Sequence, residues 1–124
     1  MSLKTHTFTN GVTIINVTPH ELTFEDAGEI VSIPASGIII NAKAVETVVK
    51  EGMPTLVSTS FISSEEDEIK LEKIEARFPN SIPVGSIIAA QAFPGRVFGM
   101  TPMKGFERVH PSEKRMNPSK FTTF

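Results

Sequence analysis

Proline and glycine punctuate this chain so often that no single long element can organise it. Nine prolines and eight glycines fall among 124 residues; each proline fixes φ and removes a backbone donor, while glycine favours turn conformations. The chain is therefore expected to fold as many short elements joined by tight turns. A chain of 124 residues makes one domain, able to bury roughly two-thirds of the surface that its unfolded form exposes. Neither a metal nor a disulfide is needed as a staple.

The best-defined turn is Asn10-Gly11, the strongest short hairpin signal. It separates the alternating Thr5 to Thr9 from Val12 to Val17, which reads as a first hairpin. Thr18-Pro19 then breaks the strand and puts His20 at a corner, because the proline ring also biases the preceding residue towards an extended conformation. Glu21 to Glu25 and Glu29 to Ile33, joined by Asp26-Ala27-Gly28, read as a second hairpin that Pro34 stops. Ile38 to Ile40 reads as an interior strand, Ala42 to Lys50 as a strand despite helical spacing of its valines, and Thr55 to Ile62 as another strand.

Ser63 to Glu68 opens the clearest helix. Ser63 with Glu66, or Ser64 with Asp67, forms a capping box, the acids suit the positive end of the helix dipole, and Leu71, Ile74 and Phe78 make one apolar stripe. Ile82 to Val84 is a short extended piece. Gly85-Ser86 caps a second helix, Ile87 to Phe93, apolar nearly all round and hence expected to be buried. Arg96 to Met100 reads as a strand, and after Thr101 the residues Pro102, Gly105, Pro111 and Pro118 prevent long elements.

The expected fold is thus α+β: a β-rich core of about six or seven short, mostly antiparallel strands, open to barrel-like closure, with helices at about 64–78 and 86–93. Residues 1–100 are read as the compact domain and 101–124 as an extended basic arm packed on the body or on a partner subunit. Charge supports that division. Residues 1–93 carry six Lys/Arg against twelve Asp/Glu and residues 94–124 carry six against two, so a body of −6 precedes a tail of +4. A basic tail can bind nucleic acid or lie on an acidic protein surface.

Several function classes are excluded or left without support. There is no cysteine, which removes disulfides, thiol nucleophiles and thiolate zinc sites. No apolar run approaches the roughly 20 residues of a membrane helix, and the N-terminus lacks a signal-peptide layout; a soluble, cytoplasmic protein without membrane partners is expected. Met1-Ser2-Leu3 carries no weight in this reading. Neither glycine-rich phosphate loop occurs, nor does a G-x-S-x-G elbow. His6, His20 and His110 lack the paired ligand spacing of a metal site, and Glu65 to Glu68 reads as a charged helix start. Neither metal nor cofactor is expected, and enzymatic activity is not favoured.

The candidate polar site is Asn16, His20 and His110. His20 reads first as a corner residue that bonds to the backbone and second as an acid/base or ligand group, since loops commonly carry function. The candidate interaction residues lie in the tail: Arg96, Lys104, Phe106, Arg108, Lys114, Arg115, Lys120, Phe121 and Phe124. Cations interleaved with aromatics can follow a phosphate backbone and stack on bases. The same residues serve a docking arm with Phe106, Phe121 and Phe124 as plugs. Docking, most simply between identical subunits, is favoured over nucleic acid.

Asn16-Val17-Thr18-Pro19-His20, the turn glycine Gly28, and Ile33-Pro34-Ala35-Ser36-Gly37 resemble the opening of small uncharacterised proteins from bacteriophages and archaeal viruses. Those begin with an N-L-T-P-H run and carry a later P-S-G. Ser81 to Val97 is similar to their C-terminal half. Val17 stands in place of the leucine, Ala35 precedes Ser36, and the tail after Met100 extends beyond the pattern. The resemblance implies a viral or mobile-element accessory protein and no particular chemistry. The functional expectation is a non-enzymatic protein acting by protein–protein interaction or self-association, with nucleic-acid binding second. A small hydrolase using His20 or His110 with a carboxylate is third.

Overall fold

Asn10-Gly11 does turn the chain between β1 (Thr5–Thr7) and β2 (Thr13–Asn16). Gly11 has φ +90°, and its amide donates to Phe8 O at 3.0 Å. In the computed structural model, residues 4–124 are described; the N-terminal Met1–Leu3 lies outside them. The next hairpin joins β3 (Leu22–Asp26) to β4 (Glu29–Ile33) through Ala27 and Gly28, both at positive φ, as a two-residue turn matched to strand twist requires. There follow β5 (Lys43–Lys50), β6 (Leu56–Ile62), α1 (Glu65–Arg77), β7 (Ile82–Val84), α2 (Ile87–Ala92), β8 (Gly99–Pro102) and β9 (Met116–Thr122), the last preceded by a 3₁₀ turn at Pro111–Glu113.

The strands of the described residues form three separate sheets. One has the order β1-β2-β7, with β7 parallel to β2; the second has the order β4-β3-β9-β8; the third is the β5–β6 hairpin alone. Side chains on a strand alternate between faces, and β2 uses both. Ile14 packs with Phe8, Leu22, Phe24, Ile33 and Val84 on one side. Ile15 and Val17 pack with Leu71, Ile74, Ala89, Phe93 and Val97 on the other. The three-stranded sheet is therefore the middle of three layers, with the helices above it and the four-stranded sheet below.

That layering answers the question of barrel closure: the sheets are not closed into a barrel. A strand apolar on both faces belongs inside a stack of layers, whereas a small barrel turns one face of each strand outward. Both helices lie within a residue of their expected limits, capped by Ser64 and Ser86. Of the two capping boxes, Ser64 with Asp67 is the one that forms: Ser64 Oγ accepts from Asp67 N at 3.2 Å. Among the described residues there are nine strands in place of six or seven. Ile38 to Ile40 is not among them: Ile40 is buried and its amide donates to Val17 O at 3.0 Å without forming a ladder.

The last quarter of the chain supplies an interior strand. β9 lies between β3 and β8, with Phe24 opposite Met116 and Met100 opposite Phe121. Pro118 has no amide to donate, and the β3 pairing is confined to Met116. Beyond it Asn10 Nδ2 donates to Pro118 O at 3.1 Å and to Ser119 Oγ at 3.2 Å. The segment read as an arm on the body thus contributes a strand to the body's own sheet. Among the described residues, no helix is long and apolar enough to cross a membrane.

Candidate functional site

The three residues of the polar candidate site are placed by the corner after β2 and by the 3₁₀ turn. Asn16 is 1% exposed and fully engaged: Nδ2 donates to His20 O (2.7 Å) and Ile33 O (3.3 Å), while Oδ1 accepts from Thr18 N (2.9 Å) and Thr18 Oγ1 (2.7 Å). The corner is therefore locked by the Asn16 amide and the His20 main chain, while His20 itself is exposed. This side-chain role is the one that sequence reasoning gave to His20. His110 caps the Pro111–Glu113 turn, Nδ1 accepting from Ser112 N at 3.2 Å. Among the described residues, no three His, Asp or Glu side chains gather as a metal site.

His20 borders a cleft of about 390 Å³ whose lining includes Leu22, Ile40, Met100 and Ser86 but no carboxylate. The Ser86 hydroxyl accepts the Ala89 amide at 3.1 Å as a helix cap. The cleft around His20 is thus walled mainly by apolar side chains, with the Ser86 hydroxyl engaged at the helix cap.

The tail cations divide into two groups. Arg96 bridges Glu68 and Glu75 of α1, donating from Nε to Glu75 Oε2 at 3.0 Å and from Nη2 to Glu75 Oε1 at 2.7 Å. These bonds hold the Glu75 carboxyl below its ordinary range and push the guanidinium further up. Arg115 donates to Glu25 Oε1 at 2.8 Å and stacks over Phe106, 4.9 Å from the ring centroid. Lys104, Arg108 and Lys120 are exposed, and Lys114 is half-buried. Phe121 turns inward, 6.2 Å from the Phe24 ring, while Phe124 stays exposed. The basic surface is thus partly consumed by internal pairs, and of the expected aromatic plugs Phe106 and Phe121 are half-buried while Phe124 is exposed.

What sequence reasoning did not single out is the β5–β6 hairpin. Every residue of β5 is exposed, as is every residue of β6 but Phe61. Val45, Val48, Val49, Leu56, Val57 and Ile62 all face solvent, Val49 at 67%, and Met53 at the tip is 99% exposed. The strands pair from Lys43 opposite Ile62 to Lys50 opposite Leu56, with an irregularity between Val48 and Lys50. Among the described residues no third strand joins them, and none of their residues belongs to either buried cluster. The run of β-branched residues was legible as strand. That it meets no sheet was not, because periodicity records which positions are apolar and not what covers them. Comparison with protein-family models, with curated proteins and with solved structures finds no match.

Proposed function

We propose that this protein acts by protein–protein association, with the β5–β6 hairpin as the surface that meets the partner. The observation that carries this reading is the exposure of six large aliphatic side chains on one two-stranded element. An isolated hairpin is marginal in water, and an extended apolar edge with unpaired backbone groups is a template for another chain. Burying even half of those side chains supplies several kcal/mol, at roughly 1.5–3 kcal/mol for each one fully covered. The viral or mobile-element accessory role implied by the Asn16 to His20 motif is part of this proposal, as is the absence of catalysis. Nucleic-acid binding by the tail ranks lower, because Arg96 and Arg115 are already paired with carboxylates.

Site-specific photo-crosslinking in the source cells tests it. A photoreactive residue at Val48 or Val57 is expected to give discrete protein adducts, whereas the same group at Lys104 or Lys120 gives none. Adducts confined to the tail positions overturn the reading.

A further inference from the structure

We infer that the hairpin's partner is a second copy of this chain, joined by antiparallel pairing of the two β6 edges about a two-fold axis at Thr59. The inference rests on the hairpin being the association surface, and it names both the occupant and the edge.

The strand's own sequence carries the argument. β6 reads Leu56-Val57-Ser58-Thr59-Ser60-Phe61-Ile62, which is nearly the same in chemistry from either end. A two-fold axis relates one surface to itself, so in antiparallel pairing centred on Thr59 each residue meets the one equally far beyond the centre. Leu56 then faces Ile62, Val57 faces Phe61, Ser58 faces Ser60, and Thr59 faces its own copy. Apolar meets apolar and hydroxyl meets hydroxyl along the whole strand, the cross-strand combinations that stabilise a sheet. Each pair also keeps to one face, because both members are an even number of residues apart.

β5 does not offer this. It carries Lys43, Glu46 and Lys50: antiparallel pairing centred on Glu46 sets that carboxylate against its own copy, an unfavourable like-charge arrangement, and pairing centred on Thr47 sets Glu46 against Val48 and Lys50 against Ala44, charged against apolar. The offset that brings Glu46 opposite Lys50 uses residues 46–50 alone and crosses the irregularity after Val48. Charges on an edge discourage further strand addition. With the bare edges joined and the charged edges outside, the four-stranded sheet β5-β6-β6-β5 closes as a dimer and does not grow into a filament. α2 lies beside β6, and its Ile87 and Ile88 are exposed, so the helix adds apolar surface next to the joined strands.

The absence of cysteine makes the test direct. Opposed Cα atoms in an antiparallel pair lie about 4.5–5.5 Å apart, within the disulfide range. Purified full-length Thr59→Cys is expected to form a covalent dimer under mild oxidation. Ser58→Cys and Ser60→Cys are expected to link to each other when mixed, and Thr47→Cys on β5 is expected not to link. Sedimentation equilibrium of the unsubstituted chain should show a concentration-dependent dimer. Thr59→Lys, with an unchanged thermal midpoint as proof of folding, should weaken that dimer at least tenfold. A chain that stays monomeric, or cysteine linkage through Thr47 in place of Thr59, overturns the inference. A purified monomer whose hairpin crosslinks to a different protein in cells overturns only the second-copy partner. Adducts confined to the tail overturn the hairpin reading itself.

Discussion

Asn16 spends its whole amide inside the protein, and with the Thr18 hydroxyl, which bonds the His20 main chain at 3.1 Å, it holds the corner. Its four hydrogen bonds tie Thr18, His20 and Ile33 together, and alanine there strands buried donors and acceptors at about 1–3 kcal/mol each. Asn16→Ala is expected to cost about 3 kcal/mol or more in urea unfolding, while His20→Ala changes stability little; a larger loss from His20 than from Asn16 refutes the assignment. Gly85 is a second sensitive residue. A Cβ there sits 2.8 Å from Val97 Cγ1 and 3.4 Å from Ala89 Cβ, so Gly85→Ala should destabilise by about 1–3 kcal/mol through overpacking. Asp26 sets an acid-sensitive contact. The Thr9 hydroxyl at 2.6 Å, and then the Thr9 amide at 3.0 Å, hold its carboxyl below the ordinary value of 3.8. A depressed carboxyl contributes stability above its unfolded pKa and loses it as pH falls through the folded one. The native chain should therefore lose this contribution below about pH 4, and Asp26→Asn should flatten the pH dependence of the urea midpoint there. An equally steep fall in the variant refutes that role.

Among the elements, α1 and the β5–β6 hairpin stand at opposite ends of dependence on the core. α1 buries Leu71 and Ile74, and its outer acids hold Arg96. Because those ion-pair side chains are about a third or more exposed, Arg96→Ala should cost only about 1 kcal/mol, less at high salt. The hairpin contributes nothing to either buried cluster. Replacing residues 46–59 by an Asn-Gly turn should leave the thermal midpoint within a few degrees while abolishing association. A chain that unfolds instead makes the hairpin a structural element of the body. Element identity was largely legible here. Ser64 and Ser86 announce their helices, Ala27-Gly28 its turn, and the β-branched residues of β5 and β6 their strands. β9 was not, since Pro118 in mid-strand argues against a strand unless the sheet stops using that amide, as it does after Met116.

At the scale of the whole molecule, three layers meet on β2, and the C-terminal segment completes the lower one. Ending the chain at Met100 removes β9 and strips Met116 and Phe121 from the cluster around Phe24. Such a chain should fail to fold, read as loss of a cooperative thermal transition; a folded fragment makes the segment a dispensable arm. The sequence by itself determined the things that are local: turns at Asn10-Gly11 and Ala27-Gly28, caps, strand and helix type, and a charge split between body and tail. Only the tertiary structure decided that Ile14 and Ile15 face two different cores, that Arg96 and Arg115 are paired with body carboxylates, and that an apolar hairpin is left uncovered. The physical reason is range. Turn chemistry and periodicity act over a few residues, whereas the contact of Phe24 with Phe121 and the pairing of Glu25 with Arg115 join positions that nothing in the local sequence relates.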